Sequence, residues 1–123
     1  MSSRLTAIAI AIGAAAGGPA RYGLAEVIHV APHTFPWATF WTNVTGSLVI
    51  GIVGARLPAT GYARPLVMTG FLGAFTTYST FVVETDVLVK DGHAGIAAFY
   101  VVASLVVGVA VAWCGYGLAR RRA

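Results

Sequence analysis

The chain has 123 residues, of which 58% are hydrophobic and 10% are charged, and its formal net charge is +4. A soluble domain has about a quarter of its residues charged, and a small domain exposes much of its surface, so this composition excludes an ordinary soluble fold. The single cysteine, Cys114, excludes an internal disulfide and a cysteine metal cluster. The sequence has no phosphate-binding loop and no nucleophile–base motif, so we expect no enzyme.

Four apolar stretches are long enough to cross a bilayer, which takes about 20 helical residues. They predict spans over residues 5–25, 37–55, 66–89 and 96–118, so that residues 1–123 form a single all-α transmembrane domain of four helices. The gaps contain the helix-breaking residues Pro32, Pro36, Pro58, Gly61, Asp91 and Gly92. A signal peptide is the alternative for the first stretch, but this apolar run is long for one.

Small residues mark the first two spans. Gly13 and Gly17 form a G-x-x-x-G pair, which is a common pattern at contacts between membrane helices. In the second span, one helical face carries Asn43, Gly46, Ser47, Gly51 and Gly54. The pattern favours a packing face on which Asn43 bonds to a neighbouring helix, and a pore-lining role for Asn43 is the alternative.

The third span concentrates glycine and hydroxyl residues at mid-membrane, in the run from Gly70 to Thr80. Glycine and threonine both weaken a helix, so we predict a break within residues 73–77. Backbone carbonyls freed at mid-membrane are tolerated only against protein, water or an ion, and they suit a cation such as Na⁺. The alternative is a continuous helix whose hydroxyls bond to carbonyls one turn earlier.

Aromatic and polar residues continue beyond the predicted break. Tyr78 and Phe81 are three residues apart and share a helix face, and the positive edge of an aromatic ring can face a small anion. Ser79 and Thr80 add hydroxyl donors, although ordinary packing is the commoner role of such aromatics. In the fourth span, a stripe of Tyr100, Ser104 and Gly108 either lines a pore or forms a contact face.

Basic residues are distributed unevenly between the two sides of the predicted bundle. The side that holds both termini and the second loop carries Arg4, Arg56, Arg64, Arg120, Arg121 and Arg122. The other side carries Lys90, and Arg21 lies near the end of the first span. Because Lys and Arg prefer the cytoplasmic side, we predict a multi-pass protein of the cell (inner or plasma) membrane with both termini in the cytoplasm.

Three segments together resemble the CrcB/Fluc family of fluoride channels. They are Gly17-Gly18-Pro19-Ala20-Arg21-Tyr22, Asn43-Val44-Thr45-Gly46-Ser47, and the run Gly70-Phe71-Leu72-Gly73-Ala74-Phe75-Thr76-Thr77-Tyr78-Ser79-Thr80-Phe81. The third segment is the most specific, and the similarity extends over nearly the whole chain. The resemblance implies an antiparallel dimer with two narrow pores, through which cytoplasmic fluoride leaves passively.

The resemblance also assigns roles to individual residues. It implies that the pore is lined by Asn43, Tyr78, Ser79, Thr80, Phe81, Tyr100 and Ser104. It implies that Arg21 lies at a vestibule that attracts anions. A structural Na⁺, which is not transported, would be held at the dimer centre by the backbone carbonyls of Gly73 and Thr76.

Two features depart from the family pattern. The family usually has phenylalanine where Tyr78 stands, and a subunit that inserts in both orientations should have little charge asymmetry. The asymmetry here raises the hypothesis that the second subunit is a homologous chain of opposite charge bias rather than a second copy. The competing functions are a proton-coupled small multidrug exporter, which needs an embedded carboxylate in its first helix, and a non-transporting subunit of a larger complex.

Overall fold

The structure is a computed structural model that describes residues 1–122, and every regular element in that range is helical. The elements are α1 (Ser3–Val27), α2 (Trp37–Arg56), a π-helix (Pro65–Leu72), the single turn α3 (Gly73–Phe75), α4 (Ser79–Lys90) and α5 (Ala94–Arg121). The π-helix, α3 and α4 together form the third segment of the chain, which is the one predicted to break.

Within residues 1–122, three helical segments are long and apolar enough to cross a membrane: Trp37–Arg56, Pro65–Lys90 and Ala94–Arg121. These segments confirm an all-α protein with membrane-spanning helices. Helix α1 is not among them, although its 25 residues would extend about 37 Å at 1.5 Å per residue. Its alanine and glycine content and its two arginines make it the least apolar of the four, so the fourth span stays a prediction.

Contacts at the two ends of the bundle define an up-and-down arrangement. At one end, the Ser2 backbone nitrogen lies 3.3 Å from the Tyr62 hydroxyl, and Arg56 donates a 3.1 Å hydrogen bond to the carbonyl of Ala119. At the other end, His33 pairs with Asp91 at 3.2 Å. Both termini therefore lie at the same end as the loop between α2 and the π-helix, as the sequence predicts.

Glycines bring the helix backbones together. Gly13 and Gly17 of α1 lie directly against the backbone of the π-helix, where a β-carbon on Gly17 would collide with the carbonyl of Phe71. Gly51 of α2 lies in the same way against Ala112 of α5. In lipid no hydrophobic driving force brings helices together, and close backbone packing of this kind takes its place. The predicted contact through Gly13 and Gly17 is confirmed.

The third segment is interrupted where the sequence predicts it. Helix α3 ends at Phe75, Thr76 has an extended backbone (φ −76°, ψ 156°), and α4 starts at Ser79. The π-helix before the break was not predicted. Pro65–Leu72 is almost uniformly apolar, so a change from α to π winding moves no polar side chain into lipid. For the same reason, the sequence of this segment has no hydrophobic periodicity that would distinguish the two windings.

Candidate ion site at the helix break

Asn43 joins α2 to the interruption. Its Nδ2 atom donates a 2.9 Å hydrogen bond to the carbonyl of Thr77, and its Oδ1 atom accepts a 2.8 Å bond from the Thr77 N–H. Both backbone groups of Thr77 thereby find partners in a region where water is scarce. The side-chain amide of Asn43 therefore stabilises the interruption of the helix. The second N–H of its Nδ2 atom remains available to donate to another acceptor.

The break redirects the hydrogen bonds that two carbonyls would receive in a continuous helix. The N–H groups of Thr77 and Thr80 would donate to the carbonyls of Gly73 and Thr76. Instead, the Thr77 N–H bonds to Asn43, and the Thr80 N–H donates to Thr77 Oγ1 at 3.2 Å. Unwound carbonyls at mid-membrane are a known ligand type for Na⁺, so the donor chemistry at Gly73 and Thr76 fits the predicted ion.

A cavity of about 380 Å³ opens beside the break. Six of the predicted site residues line it: Asn43, Gly73, Thr76, Tyr78, Phe81 and Ser104. They come from α2, from both halves of the third segment and from α5, so the fold gathers at one place residues that are up to 61 positions apart (104 − 43). None of the described residues that line the cavity carries a formal charge.

Two parts of the cavity wall can face an anion. The Ser104 hydroxyl is buried and, within residues 1–122, has no hydrogen-bond partner. Buried polar atoms in proteins are nearly always bonded, so an orphan hydroxyl beside a cavity points to an absent ligand or water. The Phe81 ring is half-buried, with its centroid 5.0 Å from that of Tyr100 and 6.3 Å from that of Tyr78.

Three of the predicted pore residues lie outside this cavity. Ser79 and Thr80 are exposed in the first turn of α4. Thr80 lines a second cavity of about 180 Å³ together with Arg21 and three further threonines. Tyr100 is fully buried and donates a 2.8 Å hydrogen bond to Glu84 Oε2. The structure therefore divides the predicted residues between two cavities and a buried contact, and it leaves Ser79 on the exposed surface of α4.

A carboxylate contact that the sequence does not predict lies midway along α4. Glu84 accepts a 2.8 Å bond from the Thr39 hydroxyl at Oε1, as well as the bond from Tyr100. The contact ties α2, α4 and α5 together. The sequence contains a partial indication of this contact. Thr39 is four residues before Asn43, and Tyr100 is four residues before Ser104, so each shares a helix face with a cavity residue. The sequence does not reveal that Glu84 turns toward those faces.

Comparison with known proteins places the chain in a family. Residues 8–116 match the family described as CrcB-like protein, Camphor Resistance (CrcB). The chain is 39% identical to a Methylobacillus flagellatus protein named Fluoride-specific ion channel FluC, over 90% of this chain and 91% of that protein. It is 35% identical to Fluoride-specific ion channel FluC 1 of Ligilactobacillus salivarius, over 92% of this chain and 98% of that protein.

A longer relative matches as well. The chain is 40% identical to Fluoride-specific ion channel FluC 3 of Streptomyces avermitilis, over 91% of this chain but 57% of that protein. It therefore spans little more than half the length of this relative, whereas it spans nearly all of the other two. The family match covers all or most of each helix and includes the three segments that carry the resemblance, so this chain belongs to the CrcB-like family.

Proposed function

We propose that this chain is a subunit of a fluoride-selective channel that releases cytoplasmic fluoride passively, down its electrochemical gradient. The observation that carries the proposal is the uncharged cavity at the helix break, which is lined by Asn43, Phe81 and Ser104. The buried hydroxyl of Ser104 has no hydrogen-bond partner within residues 1–122. The names of the relatives support fluoride as the anion.

The chemistry of the cavity suits a small, strongly hydrated anion. Fluoride gives up its water only where other donors replace it, and an amide, a hydroxyl and a positive ring edge are such donors. A fixed cation in the same position would hold the anion too tightly for release. The uncharged wall of the cavity therefore favours permeation over storage.

Export through such a channel needs no chemical energy source. An inside-negative membrane potential is worth about 2.3 kcal/mol per unit charge per 100 mV and drives an anion outward. The CrcB-like family is one of ion channels, so the prediction that the chain is not an enzyme is confirmed.

A structural Na⁺ at the carbonyls of Gly73 and Thr76 is part of the proposal. Both carbonyls lose their helical donors at the break, which supports this position. A bound cation would neutralise the partial negative charge of these two carbonyls and would not be transported. Replacing Na⁺ by N-methyl-D-glucamine during purification should lower the melting temperature of the protein, and an unchanged melting temperature would count against the ion.

The remaining predicted residues take supporting roles. Arg21 would attract anions to the vestibule, and its place with Thr80 in the wall of the smaller cavity supports this. Ser79 and Tyr100 would extend the polar path. The Tyr100 hydroxyl donates to Glu84 in this structure, so it would turn away from the carboxylate to reach an anion.

A complete pore in this proposal needs a second, antiparallel subunit. The Tyr78 ring is 80% exposed although it borders the cavity, which is the position of a side chain that a partner would cover. The partner is a second copy or a homologous chain of opposite charge bias. Each subunit would cross the inner or plasma membrane four times, with α1 as the fourth span.

Fluoride efflux from liposomes tests the proposal. Purified chain in vesicles should release fluoride, measured with an electrode, while chloride stays inside. If the chain alone releases nothing, co-reconstitution with a homologous chain of opposite charge bias decides between a heteromeric channel and a non-transporting subunit. Release of both anions at similar rates would contradict selectivity.

The rival function, a small multidrug exporter, is not favoured. It needs an embedded carboxylate in the first helix, and Glu26 is exposed in the last turns of α1. In the same vesicles, dye efflux driven by a proton gradient would reveal such an exporter.

A further inference from the structure

Basic side chains converge at the end of the bundle that holds the termini. This arginine end consists of Arg4, Arg56, Arg64, Arg120, Arg121 and Arg122. The four acidic residues of the chain, Glu26, Glu84, Asp86 and Asp91, all lie toward the opposite end. Within residues 1–122, the ion pairs His33–Asp91 and Lys90–Asp86 also belong to that opposite end, so the arginine end has no acidic side chain to neutralise it.

Backbone contacts hold these arginines close together. The Arg56 hydrogen bond to the carbonyl of Ala119 places its guanidinium beside the last turn of α5. Arg64 donates a 3.4 Å bond to the carbonyl of Leu57, directly after α2. A guanidinium has five N–H donors, so one bond to a carbonyl leaves donors for an external acceptor. Arg120 and Arg121 are exposed at the end of α5.

Aromatic residues set the depth of this end in a bilayer. Trp113, Tyr116 and Arg120 follow one another along one face of α5, at spacings of three and four residues. The Trp113 side chain is 79% exposed, and the Arg120 guanidinium lies 5.6 Å from the centroid of the Tyr116 ring. Trp and Tyr concentrate at the membrane–water interface, so Arg120, about 10 Å beyond Trp113 along the helix, lies at the level of the lipid phosphates.

From this geometry we propose that the arginine end binds the headgroups of anionic phospholipids. Arg120 and Arg121 contact the lipid phosphate, and Arg56 and Arg64 add positive charge beside it. The guanidinium fork matches phosphate oxygens in two-bond geometry, and the absence of acidic neighbours leaves the field uncompensated. The inference requires only that the helices cross a membrane, so it is independent of fluoride conduction.

Lipid retention by the purified full-length protein tests this surface. The protein is exchanged into micelles with equal amounts of phosphatidylglycerol and phosphatidylcholine, and bound lipids are counted by native mass spectrometry. Wild type should retain phosphatidylglycerol in preference to phosphatidylcholine. In the R120Q/R121Q double variant, the ratio of the two bound lipids should fall about fivefold for each arginine removed. R120K/R121K, which keeps the charge but loses the two-bond geometry, should fall between wild type and the glutamine variant. Lys90→Gln, at the opposite end, should match wild type.

Several outcomes would overturn the proposal. They are equal retention of the two lipids by wild type, unchanged preference in R120Q/R121Q, and displacement of phosphatidylglycerol by inorganic phosphate, which would indicate a site for free anions instead.

A series of salt concentrations tests the same surface on the wild-type protein, so this measurement does not depend on whether a variant folds. Raising NaCl from about 50 to 500 mM should weaken the preference severalfold because salt screens exposed charges, and a salt-independent preference would also contradict the proposal.

Discussion

Polar side chains inside this bundle take their partners from neighbouring segments. Asn43 bonds to the backbone of Thr77, and Glu84 receives the hydroxyls of Thr39 and Tyr100. Each of these bonds satisfies a group that would be costly to leave unpaired in a membrane interior. Ser104 is different, because its buried hydroxyl has no partner within residues 1–122. The side chains with partners hold the helices in place, and Ser104, whose hydroxyl has no partner, lines the cavity at the helix break.

Removing the Glu84 carboxylate should destabilise the protein. Glu84→Ala leaves the Tyr100 hydroxyl, on a fully buried side chain, without its acceptor, at a cost of about 1–3 kcal/mol in the free energy of unfolding. Unfolding in mixed SDS micelles measures this cost. Glu26→Ala, at an exposed acidic residue, is the matched control and should change little. Equal stability of the two variants would show that the carboxylate contact contributes nothing.

Removing the Phe81 ring should stop fluoride flux while the fold survives. Phe81→Ile keeps apolar volume but loses the positive ring edge that would face the anion, so fluoride flux should fall by about tenfold or more. Phe99→Ile, on the exposed face of α5, is the control and should conduct like wild type. Size-exclusion profiles verify assembly of both variants. Normal flux through Phe81→Ile would mean that the ring does not line the path.

At the scale of elements, the interrupted third segment depends on close packing around it. Helix α1 lies against the π-helix through Gly13 and Gly17, and Gly46 of α2 lies against Thr76 at the break itself. In each of these contacts at least one of the two partners is backbone. Small movements of α1 or α2 would therefore shift the carbonyls at the break and the wall of the cavity. The scaffold around the site is therefore set by glycine contacts.

A pair of adjacent glycines separates packing from helix propensity. In Gly17→Ala the new β-carbon meets the backbone of Phe71, which should cost about 1–3 kcal/mol of stability. At Gly18 the same β-carbon meets open space, so Gly18→Ala should be neutral or gain up to about 1 kcal/mol from helix propensity. SDS titration of both variants against wild type gives the comparison. If Gly17→Ala is as stable as Gly18→Ala, α1 does not pack closely on the π-helix.

The sequence predicted those features of the elements that depend on local chemistry. Glycine and threonine density placed the break within residues 73–77, and the helix in fact ends at Phe75. The pairing of Asn43 with Thr77 and of Glu84 with Tyr100 could not be predicted, because it depends on how neighbouring helices are rotated about their axes. The π-helix was missed for a different reason, since a uniformly apolar run is compatible with either winding.

The whole molecule has a charge asymmetry that the bundle geometry preserves. Contacts among the N-terminus, the second loop and α5 confirm that six arginines share one end, and the acids lie toward the other. A subunit so polarised should insert in one orientation, with the arginine end in the cytoplasm. This is why a homologous chain of opposite bias is a candidate partner.

Reporter fusions test that orientation. A fluorescent protein that folds only in the cytoplasm, fused to the C-terminus, should be bright, and alkaline phosphatase at the same position should be inactive. Insertion of each reporter at Gly92, between α4 and α5, serves as the opposite-side control and should give the reverse pattern. Phosphatase activity at the C-terminus in about half of the molecules would indicate dual insertion and support a homodimer.

In the function that we propose, the interruption between α3 and α4 organises an ion site beside Asn43, Phe81 and Ser104. A crystal structure in lipid with sodium fluoride present is the decisive measurement. We expect non-helical backbone at residues 76–78, a halide within reach of the Ser104 hydroxyl and the Phe81 ring edge, and a cation at the carbonyls of Gly73 and Thr76. A third segment wound without interruption from Pro65 to Lys90, with no ion beside it, would contradict it.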